Sequence, residues 1–465
     1  MSPVTTDVAQ GHRYGTRQLW KDKEKLPLVQ RSQALGINSL PNEVLCEILK
    51  MAIERTPHGH TVRKRAPINV CRRWKEIIMN TPKLWCSIAL AWTPKSVVEE
   101  HIKRSCQCPL DITIDGSWRV PTPEIEARLD TLIPTAYRWS TLIIEEQCFV
   151  GRVSEILNSF DSAVFPILTR LSINQSKSFN PCFPKLLSPK SLPVLKDLTL
   201  WDVRVTPDLQ IPPTLERITL FLRYGSSLNT WLPSLSRLKA LSFNGNTEHL
   251  PLQPDSIHLP LLARLTCKVT HAESFLQALL APNLTHIDYS QSSCESLFRT
   301  FYGLRSKWKS VHELVLRVPK KVKAASDYSS DLACLCLATP EVRGIEVMDH
   351  VLNDLLGVDF DLCPIDQWDR LERVAVISDI RSLKNMQKIV PWLERRENTG
   401  KPRLKFGFSL KQDRRVKLKE DLFEEIGKLC DGVDFCMDER IAPLMTGYTV
   451  CAVSDDSPQT LSKFD

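Results

Sequence analysis

Leu195-Lys196-Asp197-Leu198-Thr199-Leu200, Leu215-Glu216-Arg217-Ile218-Thr219-Leu220 and Leu238-Lys239-Ala240-Leu241-Ser242-Phe243 are apolar at their first, fourth and sixth positions, in the middle of a chain of 465 residues. The same template recurs at 168–173, 262–267, 284–289, 311–316, 342–347 and 371–376. The middle apolar residues of these nine units lie 20 to 31 residues apart, with a mean of about 25. Apolar residues two apart predict a short half-buried strand, and the remaining residues of each unit suffice for a return. Weaker strands at Leu110–Ile114 and Leu142–Ile144 extend the pattern backwards, and Leu404–Phe408 extends it forwards.

Pro166, Pro193, Pro213, Pro260, Pro282 and Pro340 stand two or three residues before the first apolar position of their units. There a proline is expected to end a helix and admit a strand. Glycine, at 16 residues, falls well short of its usual share of about 7%. Folds built on glycine-rich phosphate loops are disfavoured. The net charge of +7 is slight for this length and is not the footprint of a dedicated nucleic-acid binder. Fifteen cysteines without a C-x-x-C pair, and no apolar leader or membrane-length apolar run, point to reduced thiols in an intracellular protein of the cytoplasm or nucleus, with no membrane and no nucleic-acid partner.

Residues 1–36 are polar, basic and aperiodic, and are expected to be a disordered arm; 441–465 read as a partly disordered tail. Between the arm and the repeats lie three short amphipathic pieces. Leu40, Val44, Leu45, Ile48 and Leu49 form one helical stripe, with Pro41 suited to a first turn. After a basic connector, Val70, Cys71, Trp74, Ile77 and Ile78 form another, stopped by Thr81-Pro82. Lys83-Leu84-Trp85-Cys86-Ser87-Ile88 follows.

The ordered series L-P-N-E-V-L-C-E-I-L, V-C-R-R-W-K-E-I and T-P-K-L-W over 37–90 resembles the F-box, in the variant form seen in many F-box proteins of mushroom-forming fungi. The period and template of 105–440 resemble leucine-rich repeats. The expected fold is therefore α/β: a short N-terminal helical F-box bundle followed by an irregular leucine-rich-repeat solenoid, a right-handed βα superhelix. Irregularity is expected because the asparagine that normally bridges neighbouring turns occurs in only one unit, as Asn246.

The resemblance implies docking on a Skp-type adaptor, and through it on a cullin, by Leu40, Pro41, Val44, Leu45, Ile48 and Leu49, with Val70, Cys71 and Trp74 packing the second helix. The repeats would then bind a protein substrate, making the chain a non-catalytic, substrate-recognition subunit of an SCF-type ubiquitin ligase. A second reading is a repeat scaffold with a vestigial F-box, and a third is an unrecognised cysteine hydrolase. Strand alternation sends Arg170, Arg217, Arg264 and Arg373 to one row of the concave face, and Trp201, Phe221, Lys268 and Arg317 to another. Arginine with aromatics suits an acidic or phosphorylated partner.

Local signatures of hydrolases, zinc proteases and nucleotide enzymes are absent from the sequence, and no catalytic residue, metal or cofactor is expected. His58-Gly59-His60 reads as a solvated pair, and the basic runs 63–65 and 320–323 as solvated surface. The dipeptides Trp201-Asp202 and Trp368-Asp369 are too far apart to mark propeller blades.

Overall fold

A computed structural model describes residues 37–54, 66–90, 93–115, 122–146, 156–157, 159–160, 163–175, 186–201, 210–222, 231–246, 252–290, 301, 303–304, 307–318, 328–357, 363–379, 388–411 and 420–436. The arm, the tail, His58-Gly59-His60 and both basic runs lie outside them. The chain divides into two compact units, 1–81 and 82–465.

In the first unit, helix α1 (Asn42–Glu54) packs against α2 (Arg72–Asn80). Pro41 stands just before α1, and its carbonyl accepts the first helical bond from the Leu45 N–H (3.0 Å). The second helix starts later than its apolar stripe predicts. Asn69 and Val70 close a short turn on Ala66 and Pro67, and Cys71 is extended (φ −161°, ψ 167°), so neither Val70 nor Cys71 lies within α2. Arg73 fastens the two helices by donating to the Leu40 carbonyl (2.5 Å) and the Asn42 side chain (2.7 and 3.1 Å). The unit boundary falls at Thr81/Pro82, so the third amphipathic piece, Lys83–Ile88, belongs to the second unit.

The second unit is mixed α/β around a long, open parallel sheet. Among the described residues its fourteen strands run in chain order: β1 (Ser87–Ala89), β2 (Leu110–Asp115), β3 (Trp139–Glu146), β4 (Arg170–Gln175), β5 (Asp197–Trp201), β6 (Arg217–Leu222) and β7 (Ala240–Asn246). A separate two-stranded ribbon pairs β8 (Ile257–His258) with β10 (Leu279–Leu280), on either side of β9 (Arg264–Thr270). The main sheet continues through β9, β11 (His286–Ser290), β12 (Glu313–Arg317), β13 (Gly344–Met348), β14 (Arg373–Asp379), β15 (Lys405–Lys411) and β16 (Gly432–Cys436). All nine template strands and the three weaker ones are present. The sequence template misses the two end strands, β1 and β16, because Ser87–Ala89 is too short for the template and Gly432–Cys436 is led in by cysteine and aspartate.

Register aligns the middle apolar residues in one row: Leu142, Leu171, Leu198, Ile218, Leu241, Leu265, Ile287, Leu314, Ile345, Val374 and Phe406. All are at most 2% exposed and join a single apolar cluster. Fully burying one such side chain stabilises by about 1.5–3 kcal/mol. At the N-terminal end, Trp139, Phe160 and Phe165 pack at centroid separations of 5.3–5.9 Å.

The prolines do something more specific than ending helices. Leu168, Leu195, Leu215, Leu262 and Leu284 each donate a backbone bond to the residue three before, closing turns whose second residues are Pro166, Pro193, Pro213, Pro260 and Pro282. Proline's fixed φ suits that position. The residue that begins each turn, such as Phe165, Leu192 or Leu259, is buried and anchors the return.

Neighbouring units are stitched by backbone in place of an asparagine ladder. The carbonyls of Thr169, Lys196, Glu216, Lys239, Ala263, Thr285, His312 and Arg343 each accept two successive N–H groups from the next unit at 2.8–3.1 Å. The helices among the described returns are α3 (Lys95–Arg104), α4 (Thr122–Leu132), α5 (Ala272–Ala278), α6 (Tyr328–Ala338), α7 (Asp349–Leu355), α8 (Ile389–Asn398) and α9 (Glu420–Leu429). No helix among the described residues is long and apolar enough to cross a membrane.

Candidate interaction surfaces

Along most of the strands, buried residues alternate with residues on the sheet's open face, so the face is built of three rows. The first runs Arg170, Asp197, Arg217, Ala240, Arg264, His286, Glu313, Gly344, Arg373. The four expected arginines do share a row. Two of them, however, are tied to acids within it.

Arg217 makes two bonds to the Asp197 carboxylate, at 2.5 and 2.6 Å, and these hold its guanidinium above the usual arginine pKa. Arg373 reaches Glu313 at 2.5 Å across the intervening β13, where Gly344 leaves the space: a Cβ there would run into the Glu313 carboxylate. Arg317 is likewise engaged, with Asp288 at 2.7 Å and Glu346 at 3.3 Å. Arg170 and Arg264 are exposed and have no ion pair among the described residues. The sequence contains the interleaved acids at the expected positions, Asp197 and Glu313, and a full readout of the row exposes them.

The second row holds a feature the sequence reading passed over: Ser172, Thr199, Thr219, Ser242 and Thr266 align on five adjacent strands. The third row runs Asn174, Trp201, Phe221, Asn244, Lys268. Trp201 and Phe221, both half-buried, stack with ring centroids 3.3 Å apart and planes 16° from parallel. The pair forms a flat platform between polar neighbours. Register also carries Arg317 into this row, opposite Ser290.

The first unit offers a different surface. The residues that the F-box resemblance implies divide by burial: Leu45 and Leu49 are 0% and 1% exposed, and Ile53, one turn on, is buried too. Leu40, Ile48, Cys71 and Trp74 are half-buried, and Pro41 is exposed. Val44 is 44% exposed, Met51 49% and Val70 57%. Helix α1 thus carries two apolar stripes. Leu45, Leu49 and Ile53 turn inward, while Val44, Ile48 and Met51, at i, i+4 and i+7, form a second one that faces out.

Several of the described thiols lean away from nucleophilic chemistry. Burial pushes Cys267 up to about 12 and Cys430 up to about 11, and Cys86, beside Cys108, also rises to about 12, chiefly through burial. A reactive thiolate requires the opposite shift. No group of three or more metal-ligating side chains gathers among the described residues. Trp368 of the second tryptophan–aspartate dipeptide is a core residue whose indole donates to the Thr339 carbonyl (2.9 Å). Compared with known proteins, the chain matches no family model and no curated sequence.

Proposed function

We propose that the chain is the substrate-recognition subunit of an SCF-type ubiquitin ligase, in which the F-box-like first unit docks on a Skp-type adaptor and the leucine-rich repeats hold a protein substrate. The observation that carries this reading is the outward apolar stripe of α1. A helix that only packed its own unit would need one stripe; the second, Val44–Ile48–Met51 beside exposed Pro41, gains free energy only when a partner covers it. The ligase acts by proximity, so the chain need hold no reacting group: it brings the substrate to the site of ubiquitin transfer.

Co-purification with a Skp-type adaptor tests this. Val44→Asp replaces an exposed anchor and leaves the inward stripe intact; it is expected to weaken capture at least about 30-fold, as loss of an interface hot spot does, with no change in melting temperature. Leu45→Ala is expected instead to lower stability by about 2–5 kcal/mol, because that side chain is fully buried. No capture by the intact chain would count for the repeat scaffold, and undiminished capture by Val44→Asp would refute docking through the outward stripe.

A further inference from the structure

The charge on the open face is sorted along the sheet. On β4–β9, four cations, Arg170, Arg217, Arg264 and Lys268, stand against one anion, Asp197, leaving +3. Towards the N-terminal edge, β1–β3 present Asp111 and Glu145 and no cation among the described side chains, hence −2. Towards the C-terminal edge, the described side chains of β11–β16 set Arg317, Arg373 and Lys405 against Asp288, Glu313, Glu346 and Asp434, hence −1. The positive band is therefore local, although the chain as a whole carries only +7.

The spacing of the band selects among anions. Arg170 and Arg264 are four strand steps apart, or about 19 Å, and Lys268 lies about 13 Å along the strand from Arg264. Arg217, between them, is already held by Asp197. Single charges so spread cannot converge on one phosphate, which concentrates charge in one place. They match single carboxylates spread along an extended segment, where six residues span about 20 Å. The hydroxyls from Ser172 to Thr266 run along the same line and supply neutral donors and acceptors to its backbone.

We infer that β4–β9 bind an extended acidic peptide segment of at least about six residues, its carboxylates distributed over Arg170, Arg264 and Lys268 and its backbone lying along the hydroxyl row. That this segment belongs to a ligase substrate rests on the reading above; the binding itself does not.

The test uses the full chain and a fluorescein-labelled dodecapeptide of alternating glutamate and serine, read by anisotropy. Comparison peptides are alternating lysine and serine, and a glycine–serine peptide bearing one phosphoserine. The glutamate peptide is expected to bind, and to weaken at least about tenfold between ~0.05 and ~0.5 M NaCl, because the pairs are solvent-exposed. Arg170→Glu and Arg264→Glu should each weaken it about tenfold, since reversal replaces an attraction with a repulsion. Lys405→Glu, the same change in the same row at the far end of the sheet, should leave affinity within about twofold. Arg264→Gln, which introduces no repulsion, should fall between, and circular dichroism checks that each variant is folded.

No binding of the glutamate peptide, equal binding of the lysine peptide, tighter binding of the single phosphoserine, or an equal loss with Lys405→Glu would each overturn the inference. Adaptor capture is measured on the same proteins. For the unaltered chain, absent peptide binding with adaptor capture defeats this inference alone, and absent capture with peptide binding defeats the ligase reading alone.

Discussion

Leu265→Ala, set beside Arg264→Ala, puts the sheet's two faces to the test at its centre. Leu265 lies in register between Leu241 and Ile287 and is fully buried. Truncation removes three carbons, worth about 2.4 kcal/mol at ~0.8 kcal/mol each. The incompletely filled space adds to this, giving about 3–4 kcal/mol, inside the range of ~2.7–5 kcal/mol for buried leucines. Arg264, one residue earlier, is exposed and unpaired among the described residues, so its truncation should cost less than ~0.5 kcal/mol. Urea unfolding followed by circular dichroism measures both, with an unchanged slope required for the comparison. A one-residue shift of register would exchange the two positions. Equal costs, or a larger cost at Arg264, would refute the assignment of faces.

Gly344→Val should displace the Glu313 carboxylate and break its bond to Arg373, costing about 0.2–1 kcal/mol for this partly exposed pair; a thermal-melt double-mutant cycle with Glu313→Gln should then show no further loss. Asp197→Asn removes the anion that holds Arg217, raising the band from +3 to +4, and should tighten the glutamate peptide by about two- to fivefold in the anisotropy assay. Alkaline pH should destabilise the second unit. The Cys267 thiol ionises at 9.0 when unexceptional but at about 12 when buried, so its contribution is whole below pH 9.0 and declines as pH rises towards about 12. That decline is at most about 1.4 kcal/mol per pH unit, and urea midpoints at about pH 8 and pH 10.5 should fall less steeply for Cys267→Ala than for the unaltered chain.

Much of the sheet was legible from spacing alone. A leucine two residues from another in a repeated frame has one physical use, the buried side of a strand, and Leu198–Leu200 and Leu241–Phe243 take that use. The arginine row was legible for the same reason, since register follows from the frame. What escaped was pairing across strands. Arg217 and Asp197 lie 20 residues apart in sequence, and Arg373 and Glu313 lie 60 apart. No local pattern states that Gly344 lets the latter meet over an intervening strand.

The helical unit divided differently. Periodicity predicted one apolar stripe on α1 and could not split it, because Val44 and Leu45 are equally apolar neighbours set about 100° apart on the helix. Only the tertiary structure buries Leu45 and leaves Val44 outside. The late start of α2 was hidden as well. Val70 and Cys71 continue the stripe by type, but the turn closed on Ala66 and Pro67 removes them from the helix.

By itself, then, the sequence determined the repeat, the strands and which residues face together, because these depend on periods of two and about 25 that any stretch of chain carries within itself. Tertiary structure alone decided which charges on the open face are already spent on one another, and which apolar side chains remain uncovered. Those outcomes depend on distances between residues remote in sequence, and such distances exist only once the units are stacked.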